Sequence, residues 1–460
     1  MDATQYPLRT TALGAFATIA LYSLALAQSA DGSATPEHLQ WTPTKPMLTA
    51  RYGHVAVSLP NGQVLVTGGF GGKGGGSVLN STEIYDPVSQ RWSKTSAMAI
   101  PRLATKAVLL LDGRVLTVGG QSVETITVWD RKVTSLSFDG VTSAEVYSPA
   151  HKTWSAIGPM AVGRLDHTLT VLKDGRVLVV GGRSATYDAL DYKLFDSAEL
   201  LDPTKGRWTM AGSMITQRIC HTATLLPNGK VLVAGGRTGR PTYSSKTVTS
   251  SAELYDSASG TWAKATNMSM PRCGHTATLL PSGKVLVTGG EDDEEADVDA
   301  MITEVVREKG SNFTAADLDT ALAKDTRPYL NSAELYDPAT NQWLPTGHMS
   351  GARSGHTALL LSNGSVIVAR GHDSNSLDLN SAEIYEPAKG TWLNTGSMND
   401  TVGLGATFSL LPDGKVLVAG GDRGYVESKP GFRERLARGI YRKEDFNENS
   451  ALSSTEFLSY

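Results

Sequence analysis

Cysteine is nearly absent from this chain. With only Cys220 and Cys273 in 460 residues, no disulfide framework can be built, and stability must come from packing. An excess of charge of one sign is missing too. Lys+Arg 42 against Asp+Glu 46 gives a formal charge of −4, which argues against nucleic acid, a partner that favours basic surfaces. Beyond the first 27 residues no apolar run approaches the roughly 20 residues of a bilayer span. The 47 glycines follow no Gly-X-Y period, and 40% of the chain is hydrophobic, so neither collagen nor wholesale disorder fits.

The N-terminus is the exception. Arg9 precedes an apolar run from Ala12 to Ala25, which closes on Ala25-Leu26-Ala27, a small-x-small cleavage pattern before Gln28. We expect a cleaved signal peptide over 1–27, a linker over 28–40, and a secreted or periplasmic mature chain.

The glycine surplus belongs to a repeat. An Arg opens the unit at positions 51, 102, 164, 218, 272 and 353, with Gly403 in its place in the seventh copy. Seventeen residues later comes a Gly-Gly pair, replaced in copy six by Arg370-Gly371. A Glu follows at 83, 145, 199, 253, 334, 383 and 456, then a Trp nine residues on in six copies, then a Met six residues further. The seventh copy stops before its Trp, while Trp41 and Met47 supply the missing spacing at the other end. Short apolar runs flanking Asn-Gly, Asp-Gly or Ser-Gly predict a tight hairpin in each unit, and the segments around Glu and Trp predict two more strands. The expected fold is therefore all-β: seven four-stranded antiparallel blades over 41–460, closed by an N-terminal strand that completes the last blade.

These units resemble the kelch repeat, with Gly-Gly after the second strand, Tyr in the third and Trp in the fourth. The resemblance implies a β-propeller. It implies less about function, because kelch propellers include enzymes, scaffolds and adhesive modules.

Spacing varies in one place only, between the Gly-Gly pair and the Glu, where the distances are 14, 25, 17, 17, 44, 12 and 35 residues. Function is expected on these loops. The first, Gly69 to Gly76, reads as a glycine-rich linker. The fifth suggests a helical insert over 291–328, from its caps and its charges placed to suit a helix dipole. The seventh carries a basic insert over 422–453, in which Arg435 and Arg438 could form a patch for an anionic glycan or an acidic partner. In copy six, Arg370, His372 and Asp373 break the pattern and mark the best local site.

The five repeated histidines, at 54, 167, 221, 275 and 356, are expected to pack rather than to bind metal, and no cofactor or metal is expected. The chain also looks similar to secreted propellers of the copper-radical galactose oxidase type, which use two tyrosines and two histidines as copper ligands, but no Tyr-His dipeptide occurs in the chain. A second enzymatic resemblance, to exported kelch sugar epimerases, would draw on Arg237, Arg240, Asp188 and His372. Cys220 and Cys273 are one residue out of step in adjacent units, so strand alternation would turn them to opposite faces as two buried thiols. The leading expectation is a monomeric, non-catalytic module that binds a protein or glycan, with a carbohydrate-active enzyme as the alternative.

Overall fold

A computed structural model describes residues 40–71, 77–128, 131–136, 140–184, 193–239, 247–292, 329–373, 378–398, 405–421 and 455–459. Among them are seven four-stranded antiparallel sheets and no helix. The first sheet runs through Val55–Ser58, Val64–Thr67, Thr82–Asp86 and Arg91–Thr95 in that order, and each later repeat rebuilds it. The last sheet takes its outer strand from the other end of the sequence. Gln40–Thr44 pairs with Thr455–Ser459, Trp41 opposite Leu458. The inserts expected over 291–328 and 422–453 lie almost wholly outside the described residues.

Two loops hold more strand than the sequence suggested. The second forms a two-stranded hairpin, Val123–Val128 with Arg131–Leu136. In the first, Phe70–Gly71 pairs with Ser77–Val78, which corrects the reading of Gly69 to Gly76 as linker alone.

The second strand of each sheet is mostly apolar and, apart from Lys230, buried, as in Val64–Thr67 and Val177–Val180, because both of its faces meet neighbouring sheets. Tyr and Trp sit directly opposite on the third and fourth strands. Their ring centroids are 5.0–5.2 Å apart in sheets one, two, four, five and six. The Trp indole then reaches the preceding sheet: Trp262 donates to the Ala211 carbonyl at 2.9 Å, and Trp392 to that of Gly347 at 2.8 Å.

The opening Arg and the repeated Glu form a buried clamp in six copies. In the first, Arg51 Nη1 donates to the Gly68 and Ser81 carbonyls at 2.9 and 3.0 Å, and Nη2 to Glu83 Oε1 at 2.8 Å. Glu83 Oε2 accepts the Leu48 backbone N–H at 2.7 Å. One ion pair thus fastens the Gly-Gly turn, the start of the third strand and the chain entering from the previous sheet. All six guanidinium groups are at most 1% exposed. Removing one partner strands a buried charge. Glu253→Gln should therefore cost about 3–5 kcal/mol in urea unfolding, whereas Asp112→Asn, which breaks the exposed pair with Arg114, should cost about 0–1 kcal/mol.

The repeated histidines lock the seams between sheets. His54 Nε2 lies 3.0 Å from Thr407 Oγ1, His221 is 3.2 Å from Thr168, His275 3.1 Å from Thr222 and His356 3.0 Å from Thr276. Each threonine follows the histidine, or in Thr407 the Ala406, of the preceding sheet. His167 has no such bond, because the preceding copy carries Lys106 in that place. Burial first, then a nearby cation, holds His54, His167, His275 and His356 at about 3 and His221 well below its ordinary value. The unfolded chain, with imidazoles near 6.5, takes up protons first. Stability should be complete above about pH 6.5 and fall progressively towards pH 3. Thermal melts across that window check this, and a melting midpoint flat from pH 7 to 4 would contradict it.

Candidate functional site

The Gly-Gly pair positions one residue per sheet at a common place. After the pair, the chain bridges back to the residue following the opening Arg: Phe70 to Tyr52, Gln121 to Leu103, Arg183 to Leu165, Arg237 to Ile219, Glu291 to Cys273, and His372 to Ser354. The second glycine makes this crossing possible. At Gly236, φ is 97° and a Cβ would lie 2.4 Å from the Ile219 carbonyl oxygen.

A second row runs beside the first, two residues after each opening position: Gly53, Ala104, Asp166, Cys220, Gly274, Gly355 and Gly405. All have φ between 52° and 80°. In this left-handed conformation backbone N–H groups cross the seams, from Gly53 to the Gly405 carbonyl at 3.2 Å, Ala104 to Gly53 at 3.1 Å, and Gly355 to Gly274 at 2.9 Å.

Charges on these rows are paired. Arg183 Nε lies 2.6 Å from Asp166 Oδ2 within one sheet. Arg237 reaches across a seam to Glu291 at 3.1 Å and also donates to Thr247 Oγ1 at 3.0 Å. His372 Nδ1 stands 2.8 Å from Asp378 Oδ1. The Tyr52 and Phe70 rings lie 5.6 Å apart. The result is a partly exposed surface of paired ions, an amide and an aromatic pair, suited to hydrogen bonding and stacking with a polar ligand.

Arg237 and His372 thus stand at equivalent places in two sheets, and Asp373 follows His372 directly. Arg370 does not share their setting. It is 4% exposed, its Nε lies 3.3 Å from Met398 Sδ, and its guanidinium packs 5.8 Å from the Phe408 ring centroid. Arg370, expected to bind ligand, is thus buried and packed at the seam. In five other copies, Gly119, Gly181, Gly235, Gly289 and Gly420, a Cβ at the first glycine would collide with the next sheet's histidine, as Gly235 would with His275 at 2.6 Å. The seventh copy carries Ala406 in place of that histidine, which leaves room for a side chain. Asp188, Arg240, Arg435 and Arg438 lie outside the described residues. The sequence reading missed Tyr52, Phe70, Gln121, Asp166, Arg183, Glu291 and Asp378. All but Asp378 could have been found by aligning the repeats on Arg and Gly-Gly and reading down three columns.

The cysteine expectation is also corrected. Cys220 is exposed and Cys273 buried, both as free thiols. Cys220 has φ 54°, outside any strand, so alternation along a strand does not govern where its side chain points.

Repeated four-stranded antiparallel sheets carrying Arg, Gly-Gly, Glu and Trp, with constant spacing from Arg to Gly-Gly and from Glu to Trp, define a kelch-repeat β-propeller. Residues 38–296, more than half of the chain, match the Attractin/LZTR1 beta-propeller family, and the chain belongs to it. It is 28% identical over 200 residues to Kelch-like protein 34 of Homo sapiens, covering 44% of this chain and 28% of that protein. To a galactose oxidase of Gibberella zeae it is 26% identical over 249 residues, covering 50% and 33%. The chain spans about a third of the length of these curated relatives. A copper-bound fungal alcohol oxidase of the AA5 family shares the fold with a TM-score of 0.62 at 14% identity, over 92% of this chain and 76% of that one. YjhT does so with a TM-score of 0.52 at 15% identity, over 76% and 99%.

The described residues do not fit the copper set that the oxidase resemblance implies. Four repeated imidazoles are buried with Nε2 facing a threonine hydroxyl, and His372, on the exposed rows, faces a carboxylate and not a tyrosine. The role found for Arg370 is testable. Arg370→Gly should lower unfolding stability by about 1–2 kcal/mol, from the lost contact with Phe408. Unchanged stability in urea denaturation would refute it.

Proposed function

We propose that the seven sheets are the blades of one ring closed by Gln40–Thr44, and that this ring is an exported, monomeric, non-catalytic module binding a protein or glycan partner on the face that carries the two rows. Support for closure comes from contacts joining the first and last sheets: Gly53 N–H to Gly405, and His54 to Thr407. The reading of function rests on one observation. The repeat delivers a different side chain to the same place in six sheets, Phe70, Gln121, Arg183, Arg237, Glu291 and His372, so identity varies where geometry is constant. Variation on a rigid frame is what recognition needs. The paired charges favour a ligand of mixed or neutral polarity, such as a glycan or an uncharged loop, over a strong polyanion. Arg435 and Arg438 of the basic insert are assigned to the binding of the same partner.

A carbohydrate-active enzyme is the alternative reading, favoured by the similarity to galactose oxidase and by the His372–Asp378 pair on the face. Asp188 and Arg240 would then join Arg237 and His372 in an epimerase-like set. A glycan array and partner capture, run with wild type and with Arg183→Ala/Arg237→Ala, separates the readings. Retention of the partner with at least about a tenfold loss in the double variant supports recognition on this face. Equal binding by both proteins would move the site elsewhere, and turnover of a bound sugar would favour the enzyme.

A further inference from the structure

The two cysteines of this chain, 53 positions apart in sequence, meet at one seam. Cys220 follows Arg218 by two residues, and its left-handed backbone lies beside the neighbouring sheet. Gly274 N–H donates to the Cys220 carbonyl at 3.4 Å, which brings the segment holding Cys273 alongside. At the equivalent places of the next seam a Cβ built on Gly274 would lie 3.8 Å from the Ser354 Cβ, a separation that a disulfide spans, and here those two places hold Cys220 and Cys273. One thiol is exposed and the other buried. The pair is flanked by the Arg237–Glu291 ion pair, because Arg237 bridges Ile219 and Glu291 bridges Cys273.

We propose that Cys220 and Cys273 are a redox site: the exposed Cys220 thiol reacts with a low-molecular-weight disulfide, and Cys273 resolves the adduct into an intramolecular bond between two adjacent sheets. The division of roles follows from accessibility, since only Cys220 is open to a reagent in solution. The Cys220 thiolate attacks one sulfur of glutathione disulfide, and one glutathione thiolate leaves. Cys273 loses its proton, its sulfur attacks the Cys220 sulfur of the mixed disulfide, and the second glutathione leaves. Across both steps the protein thiols give up two protons and two electrons, and one glutathione disulfide becomes two glutathione thiols. In the reduced protein the Cys220 side chain, together with burial, pushes the Cys273 thiol well above its ordinary value; because the attacking sulfur must be a thiolate, the resolving step should accelerate as pH rises. The bond would fix the spacing of the two sheets that carry Arg237 and Glu291. Only this last consequence rests on the binding role proposed above.

The test uses the full reduced chain, treated with glutathione disulfide and followed by intact mass and thiol titration. The expected product is a monomer lighter by two hydrogens, with no titratable thiol, a raised melting midpoint and full reversal by dithiothreitol. Cys273→Ser should instead stop at a stable adduct carrying one glutathione on Cys220, and Cys220→Ser should stay unmodified. Wild type that keeps a glutathione adduct, forms disulfide-linked dimers or retains both thiols would overturn the proposal. These readouts involve no ligand, so their failure is distinct from failure of the binding reading.

Discussion

A guanidinium buried against a carboxylate is an expensive thing to place inside a protein, and this chain does so in six of its sheets. The arrangement is tolerated because almost every polar atom of the pair has a partner. Arg51 spends its two terminal nitrogens on two carbonyls, a hydroxyl and Glu83, and the second oxygen of Glu83 accepts a backbone N–H from the segment entering the sheet. Three chain segments with no covalent reason to meet are held at one point. Everything else follows from that point, including where the Gly-Gly turn ends and where the next sheet begins.

Between sheets a different set of contacts operates. Histidine to threonine, indole to carbonyl, and backbone N–H to carbonyl all cross the same seams, and apolar second strands fill the space between them. The seventh copy shows how the set adjusts when a member is lost. Where histidine gives way to Ala406, the glycine that would have faced it becomes Arg370, whose guanidinium fills the seam against Phe408. A residue that breaks the repeat can be a repair of the fold, and the two are hard to tell apart until the neighbour across the seam is known.

The four strands of each sheet, their hairpin turns and the split last sheet were legible in the sequence because the spacings from Arg to Gly-Gly and from Glu to Trp are constant, while the extra strands lie in the loops between Gly-Gly and Glu, where spacing varies. Part of the site was legible for the same reason: Arg237 and His372 stand one residue after their glycine pairs. Their partners were not, since Glu291 reaches Arg237 across a seam and Asp378 reaches His372 across a loop of variable length. The setting of Arg370 was not legible because its contacts, Met398 and Phe408, come from distant parts of the chain. The cysteines were misread because strand alternation was applied to a residue whose backbone has left the strand.

The sequence by itself determined the repeat, the all-β character and the family, since periodic local signals survive without knowledge of long-range contacts. Only the tertiary structure decided which charges neutralise one another, which thiols share a seam and which irregular residue faces solvent. Those properties depend on the meeting of different sheets, and residues that meet across a seam carry no mark of it in their own neighbourhood.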